Sequence, residues 1–191
     1  MKEYHPFGVY LPPHANSMII GSFPIGKFSH PDRSKEIKPH EFKFYFGGET
    51  NLLWKLLAGT FNRNLSTVDD IKSLLISKHL VIGDLIKSCR RKKGGGSDAS
   101  LYDIEWNNEL YGLIETNQII KIYFTSKFVQ KHYHRLFPDS KVKEVLLLSP
   151  SAQTYRSLGK NPLYQKFKRL YPELKAFDFM LSTYQDGFSD E

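Results

Sequence analysis

Four short runs rich in Ile, Val and Leu, at residues 18–22, 80–86, 119–125 and 142–148, constrain the fold of this chain most. Each has the length of a strand, and the gaps between them are long enough for helical crossovers, the connection that parallel strands require. Their near-continuous apolar character, broken in the second run by Gly83, marks strands buried on both faces. Helical patterns fill the gaps. Asn51 opens one with Leu52, Leu53, Leu56 and Leu57 on a common side, and Thr67-Val68-Asp69-Asp70 gives a capping start to another over 71–76. Further helices are expected over 105–115, with Trp106, Leu110, Leu113 and Ile114 inward, over 126–137 before Pro138, and over 163–170 before Pro172. The expected fold is α/β: one domain over residues 1–191, a three-layer α/β/α sandwich around a short, mostly parallel four-stranded sheet. The tail, 185–191, is expected to be loose. Right-handed crossovers would carry the loops after the strands to the carboxyl edge, where such folds bind ligands.

Composition narrows the partner. No apolar run approaches the roughly 20 residues that cross a bilayer, and the start, Met1-Lys2-Glu3-Tyr4-His5-Pro6, lacks the apolar core of a signal peptide. The single cysteine, Cys89, excludes an internal disulfide, so a cytoplasmic protein is expected. A monomer without membrane contact is expected as well. A net charge of +7 favours an anionic partner, of which nucleic acid is the commonest. Lys87, Arg90, Arg91, Lys92 and Lys93 cluster just before Gly94-Gly95-Gly96, either as a solvated loop tip or as a phosphate contact. Other chemistries lack their parts. There is no Walker loop and no G-x-G-x-x-G, and Ser22 lacks the elbow of a hydrolase triad. His132 and His134 diverge on a helix, no cysteines pair, and neither metal nor cofactor is expected.

Two of the apolar runs stop abruptly in small, turn-forming residues. In Ile19-Ile20-Gly21-Ser22-Phe23-Pro24, Gly21 and Ser22 admit a ligand close to the backbone, and Pro24 fixes the turn. The plain alternative is a tight strand exit. After the last run, Ser149-Pro150-Ser151-Ala152-Gln153-Thr154 could grip phosphates, with Tyr155 and Arg156 next to fill the gap left by an extruded base. Solvated loop residues are the alternative. Between them, Phe44-Tyr45-Phe46-Gly47-Gly48 either offers a ring for stacking on a base, a contact worth about 1–3 kcal/mol, or seals the sheet edge. Asn51 is either a helix N-cap or an amide that orients water or holds a base edge.

Taken in order, these segments resemble the uracil-DNA glycosylase superfamily, and most closely its branch of hypoxanthine-DNA and mismatch-specific uracil glycosylases. Gly21-Ser22-Phe23-Pro24 is similar to the first motif, and Phe44 through Trp54 resembles the stretch Tyr-Tyr-Gly-His-Pro-x-Asn-x-Phe-Trp. Gly83-Asp84 through Ser97-Asp98 and Phe124-Thr125-Ser126-Lys127 are similar to two further segments. Leu148-Ser149-Pro150-Ser151-Ala152 stands where a Pro/Ser-rich minor-groove loop is expected. The pattern also departs from the family. Phe23 or Ile25 occupies the place where many members carry an acid or amide, and Gly48-Glu49 replaces His-Pro, so that Glu49 is either a substitute acid or a solvent-facing change. The insertion 27–43, rich in Lys and His, could form a DNA-facing flap.

The resemblance implies a monofunctional DNA glycosylase of base-excision repair that flips a deaminated base, uracil or hypoxanthine, out of DNA and hydrolyses its N-glycosidic bond. It implies Asn51 as the catalytic residue and Gly21, Ser22, Phe23, Tyr45 and Phe46 around the base. DNA would be held by Lys127, Ser149, Pro150, Ser151, Gln153, Tyr155 and Arg156. Two alternatives stay open: an inactive nucleic-acid-binding protein that retains the glycosylase fold, and a small-molecule hydrolase.

Overall fold

In a computed structural model of the chain, which describes residues 1–93, 95, 97–116 and 118–189, the central feature is a four-stranded parallel sheet. Its strands are β2 (Ser17–Gly21), β3 (Leu80–Asp84), β6 (Lys121–Phe124) and β7 (Lys143–Leu146), in the order β3-β2-β6-β7. Every residue of β2, β3 and β6 is buried, which accounts for their unbroken apolar sequence. Alternate side chains serve opposite faces. Ile19, Leu80, Ile82 and Tyr123 join one core, while Met18, Ile20, Val81, Ile122 and Phe124 join the other.

Helices cover both faces. The first core is closed by α2 (Leu53–Thr60), α3 (Val68–Ser77) and α8 (Ala176–Gly187), through Leu53, Leu56, Leu57, Ile71, Leu75, Met180 and Tyr184. The second is closed by α4 (Glu109–Glu115) and α5 (Lys127–Leu136), through Leu110, Ile114, Val129 and Tyr133. The expected Thr67 cap of α3 is present and is completed by Asp70 as a reciprocal capping box, and the Ser126 hydroxyl accepts from the Val129 N–H to cap α5.

A second, antiparallel sheet was not expected from the sequence. β1 (Lys2–Tyr4), β4 (Ile86–Arg91) and β5 (Leu101–Trp106) pair in the order β1-β4-β5. The run 80–86 is therefore two strands. The chain turns at Leu85, whose N–H donates to the Gly21 carbonyl, and Ile86 leaves in the other sheet. The helix expected over 105–115 begins only at Glu109, because Trp106 closes β5 opposite Ile86. The tail is also corrected as far as Ser189: Gln185 to Gly187 complete α8, and Phe188 is buried and stacked on Tyr123 at 4.0 Å. Asp190 and Glu191, like Gly94 and Gly96 of the glycine run, lie outside the described residues.

Among the described residues no helix is long and apolar enough to cross a membrane. Two short elements complete the frame of the site: α1 (Gly26–Ser29) after β2 and α6 (Ala152–Ser157) after β7.

Candidate active site

The carboxyl ends of β2, β3, β6 and β7 open into a cavity of about 520 Å³, within the usual range for a ligand pocket. The loop after β2 contributes Ser22, Phe23, Pro24 and Ile25, and the aromatic stretch contributes Phe44, Phe46, Gly47, Gly48, Thr50 and Asn51. Thr125 and Ser126 come from the end of β6, and Ser149, Pro150, Ser151, Ala152, Gln153 and Arg156 from the loop after β7 and from α6. One hydrogen bond ties two of these segments directly, from the Leu52 N–H to the Pro150 carbonyl at 2.8 Å. Distant pieces of sequence thus meet on one wall, as parallel topology requires of loops at a shared sheet edge.

Among the residues singled out from the sequence, Ser22, Phe23, Phe46, Asn51, Ser149, Pro150, Ser151, Gln153 and Arg156 line this cavity. Gly21 sits just beneath it. A Cβ there would stand 2.1 Å from Asp84 Oδ1 and 2.6 Å from Phe46 Cζ, so only glycine lets the strand end approach both. Lys127 and Tyr155 are exposed near the rim without forming the wall. Tyr45 does not face the cavity. It is buried among Phe7, Phe44 and His5, its hydroxyl donates to the Gly8 carbonyl at 2.6 Å, and its own carbonyl accepts from Trp54 Nε1. Of the aromatic triplet, Phe44 and Phe46 both line the cavity, Phe44 from the buried core and Phe46 half-buried. Phe46 is the strained one. It has a φ of 52°, a left-handed conformation that costs a residue with a Cβ on the order of 1–3 kcal/mol and recurs at ligand clamps.

Asn51 makes a capping contact from one position before the N-cap residue, Leu52, and borders the cavity. Its Oδ1 accepts from the Leu53 N–H at 2.9 Å at the start of α2, while the residue lies on the cavity wall. Glu49 is solvent-facing, paired with Lys38 at 2.6 Å and His40 at 3.1 Å. In the segment 27–43, Lys27 and Arg33 are likewise paired, with Glu41 and Glu36, and Phe28 reaches the cavity. The basic cluster after β3 divides. Lys92 and Lys93 are exposed, but Arg91 is nearly buried, bonded to Glu3 and donating to the Pro24 carbonyl at 2.9 Å.

Two carboxylates on the wall were not picked out as site residues from the sequence. Asp98 accepts from the Ser22 hydroxyl at 2.6 Å. Burial, with the Asp84 charge nearby, pushes its carboxyl above the usual range despite that hydrogen bond. Asp84, the last residue of β3 and paired in register with Gly21, is 4% exposed. Its Oδ2 meets His5 Nε2 at 2.9 Å, and its backbone carbonyl accepts from Asn107 Nδ2. Its Oδ1 is buried without a hydrogen-bond partner. The available signal was an acid closing an otherwise apolar strand, since a carboxylate is seldom buried there without a use. Among the described residues, no group of three or more His, Cys, Asp or Glu is placed to hold a metal ion.

No family model and no curated protein matches the chain in sequence. Among solved structures it is similar to the solution NMR structure of a "putative uracil DNA glycosylase" from Methanosarcina acetivorans. The TM-score is 0.61 at 19% identity over 97% of this chain and 98% of the other. The two share a fold: a parallel four-stranded sheet flanked by helices.

Proposed function

We propose that this protein is a DNA glycosylase that hydrolyses the N-glycosidic bond of a deaminated base, uracil or hypoxanthine, in DNA. The observation that carries this reading is the meeting of Ser22, Phe46, Asn51 and the Ser149–Ser151 loop on one cavity. The fold shared with the archaeal protein adds support. A base extruded from the stack, at a cost of a few kcal/mol that is least at mispairs, would lie against the Phe46 ring. Backbone N–H groups of the turn after β2 would face the polar edge of the base and oppose the negative charge that grows on it as the bond to the sugar breaks. Asn51 keeps its side-chain NH₂ for a water or for the base, because Leu53 occupies one lone pair of its oxygen. Hydroxyls of Ser149 and Ser151, with Arg156, would hold the flanking phosphates.

The test is a panel of duplexes carrying a single uracil, hypoxanthine or xanthine. Excision of at least one is expected, falling about 100-fold or more in Asn51→Ala, with affinity for the intact duplex retained. One observation favours a second reading, an inactive nucleic-acid binder: Phe23, not a polar group, stands on the wall where the first motif could have presented one. Intact duplexes throughout the panel, together with salt-sensitive DNA binding, would select it.

A further inference from the structure

We propose that Asp98 is the general acid for a departing purine, donating a proton from Oδ2 to a ring nitrogen of hypoxanthine, and that Ser22 positions it. This rests on reading the cavity as a glycosylase site, and it names the ring class that the site is equipped to release. Breaking the bond to the sugar leaves an electron pair on the base, and a group that hands over a proton relieves that charge. Of the side chains on the cavity wall, Asp84 and Asp98 are the two that can exchange a proton near neutral pH, since both arginines stay charged. Asp84 is closed off. It is 4% exposed, its Oδ2 meets His5 Nε2 at 2.9 Å, and its Oδ1 is buried. Asp98 is half-buried at the wall, so the role falls to it.

Ser22 decides which oxygen carries the proton. Asp98 opens the short turn Asp98–Ser100 between β4 and β5, a turn held by the Ser100 hydroxyl on the Ser97 carbonyl at 2.6 Å and by the Lys92 N–H on the Ser100 carbonyl at 2.9 Å. From there Oδ1 accepts from the Ser22 hydroxyl at 2.6 Å, 76 residues away in sequence. A neutral carboxyl has one accepting oxygen and one O–H, and the donor at Oδ1 makes Oδ2 the O–H. Among the described residues nothing bonds Oδ2, which is left to the cavity. Burial and the Asp84 charge favour the protonated form, while the Ser22 hydroxyl and the Arg91 guanidinium favour the carboxylate. The first two win, so the group titrates above the usual carboxylate range. Two carboxyls in unlike surroundings share one cavity, the arrangement by which acid and base roles separate.

The chemistry of such a donor selects the ring. Hypoxanthine, joined to the sugar through N9, keeps lone pairs at N3 and N7. Uracil has no such ring nitrogen, because its N1 carries the sugar and its N3 a hydrogen. In the proposed step the Oδ2 proton moves to N3 or N7. The C1′–N9 bond breaks with its electron pair going to the ring, and a water oxygen bonds C1′. The proton of that water returns to the Asp98 carboxylate, so the purine leaves neutral and the acid is restored. Uracil would leave as an anion, with the backbone N–H groups alone to oppose its charge.

The test measures single-turnover excision of hypoxanthine and of uracil from otherwise identical duplexes by the whole protein, between about pH 5 and pH 9. Hypoxanthine excision is expected to be flat at low pH and to fall about tenfold per pH unit above the titration of Asp98, with no such fall for uracil. Asp98→Asn removes the fall and lowers the ratio of hypoxanthine to uracil rates about 100-fold. Ser22→Ala, which takes away a hydrogen bond that favours the carboxylate, moves the fall to higher pH. A merely structural Asp98 would lower both rates together and leave the wild-type profiles of the two bases alike. If Asp98→Asn does not fold, the wild-type profiles and Ser22→Ala decide. Equal losses for the two bases, one shared pH profile, a hypoxanthine rate that climbs with pH, or excision of uracil alone overturns the proposal and leaves the glycosylase reading standing. Duplexes intact at every pH overturn both.

Discussion

Glu41 sits under the turn that leads into the aromatic stretch, and its environment sets an acid limit on the fold. Burial pushes its carboxyl up, but the Lys27 ammonium at 2.5 Å and the backbone N–H groups of Lys38 and Glu49 outweigh this and hold it at about 2. The folded value is depressed from 4.5, so the stabilisation is complete above pH 4.5 and fades as pH falls toward 2. Melting temperatures of the wild type and Glu41→Gln should differ at pH 7 and converge between pH 4.5 and 2. A constant gap across that window would remove Glu41 from this role. At the same scale, single residues were only partly legible from sequence. Phe46 and Asn51 were legible because glycines and a helix start framed them. Tyr45 was not, because neighbours in a turn point in different directions and the triplet's spacing cannot say which ring turns inward. Asp84 acquires its meaning from His5, 79 residues away, and no local pattern encodes that pair.

Among the elements, the parallel strands were readable because burial on both faces writes itself as an apolar run. The hairpin of β4 and β5 was not. Its strands carry Lys, Arg, Asp and Glu on an exposed face, register shifts interrupt their pairing, and Asp103 has a φ of 51°, so the alternation by which a strand is recognised is broken. Trp106 and Leu110 then fell on helical spacing by accident. The strand β1 is too short to announce itself, yet it supports the site. Its Glu3 is buried against Arg91 and accepts from the Ser29 hydroxyl at 2.6 Å, and Arg91 in turn holds the Pro24 carbonyl. Removing one member of such a buried pair leaves an uncompensated charge, so Glu3→Ala should cost about 3–5 kcal/mol, measured by chemical denaturation. A loss below about 1 kcal/mol, the value of an exposed pair, would mean that β1 is dispensable to the turn.

For the molecule as a whole, a charge of +7 says less than where the cations go. Lys27, Arg33, Lys38, Arg90 and Arg91 are paired with Glu41, Glu36, Glu49, Asp103 and Glu3, so much of the positive charge in segments 27–43 and 87–93 already has a partner within the chain, at the surface for Arg33, Lys38 and Arg90. Arg156 instead is exposed on the cavity wall, and Lys127 is exposed beside Ser126, which lines it. Phosphates that flank an extruded base would come to this rim. Each phosphate neutralised adds about 0.9 to the magnitude of the slope of log affinity against log salt. Arg156→Ala should therefore weaken DNA binding equally for all sequences and reduce that slope by about one. Arg90→Ala, at a cation already held 3.0 Å from Asp103, should leave the slope near its wild-type value. Titrations across a salt series with one duplex decide the matter. Equal slopes for wild type and Arg156→Ala would move the phosphate track away from this edge of the sheet, and a wild-type slope near zero would favour a small-molecule substrate over DNA.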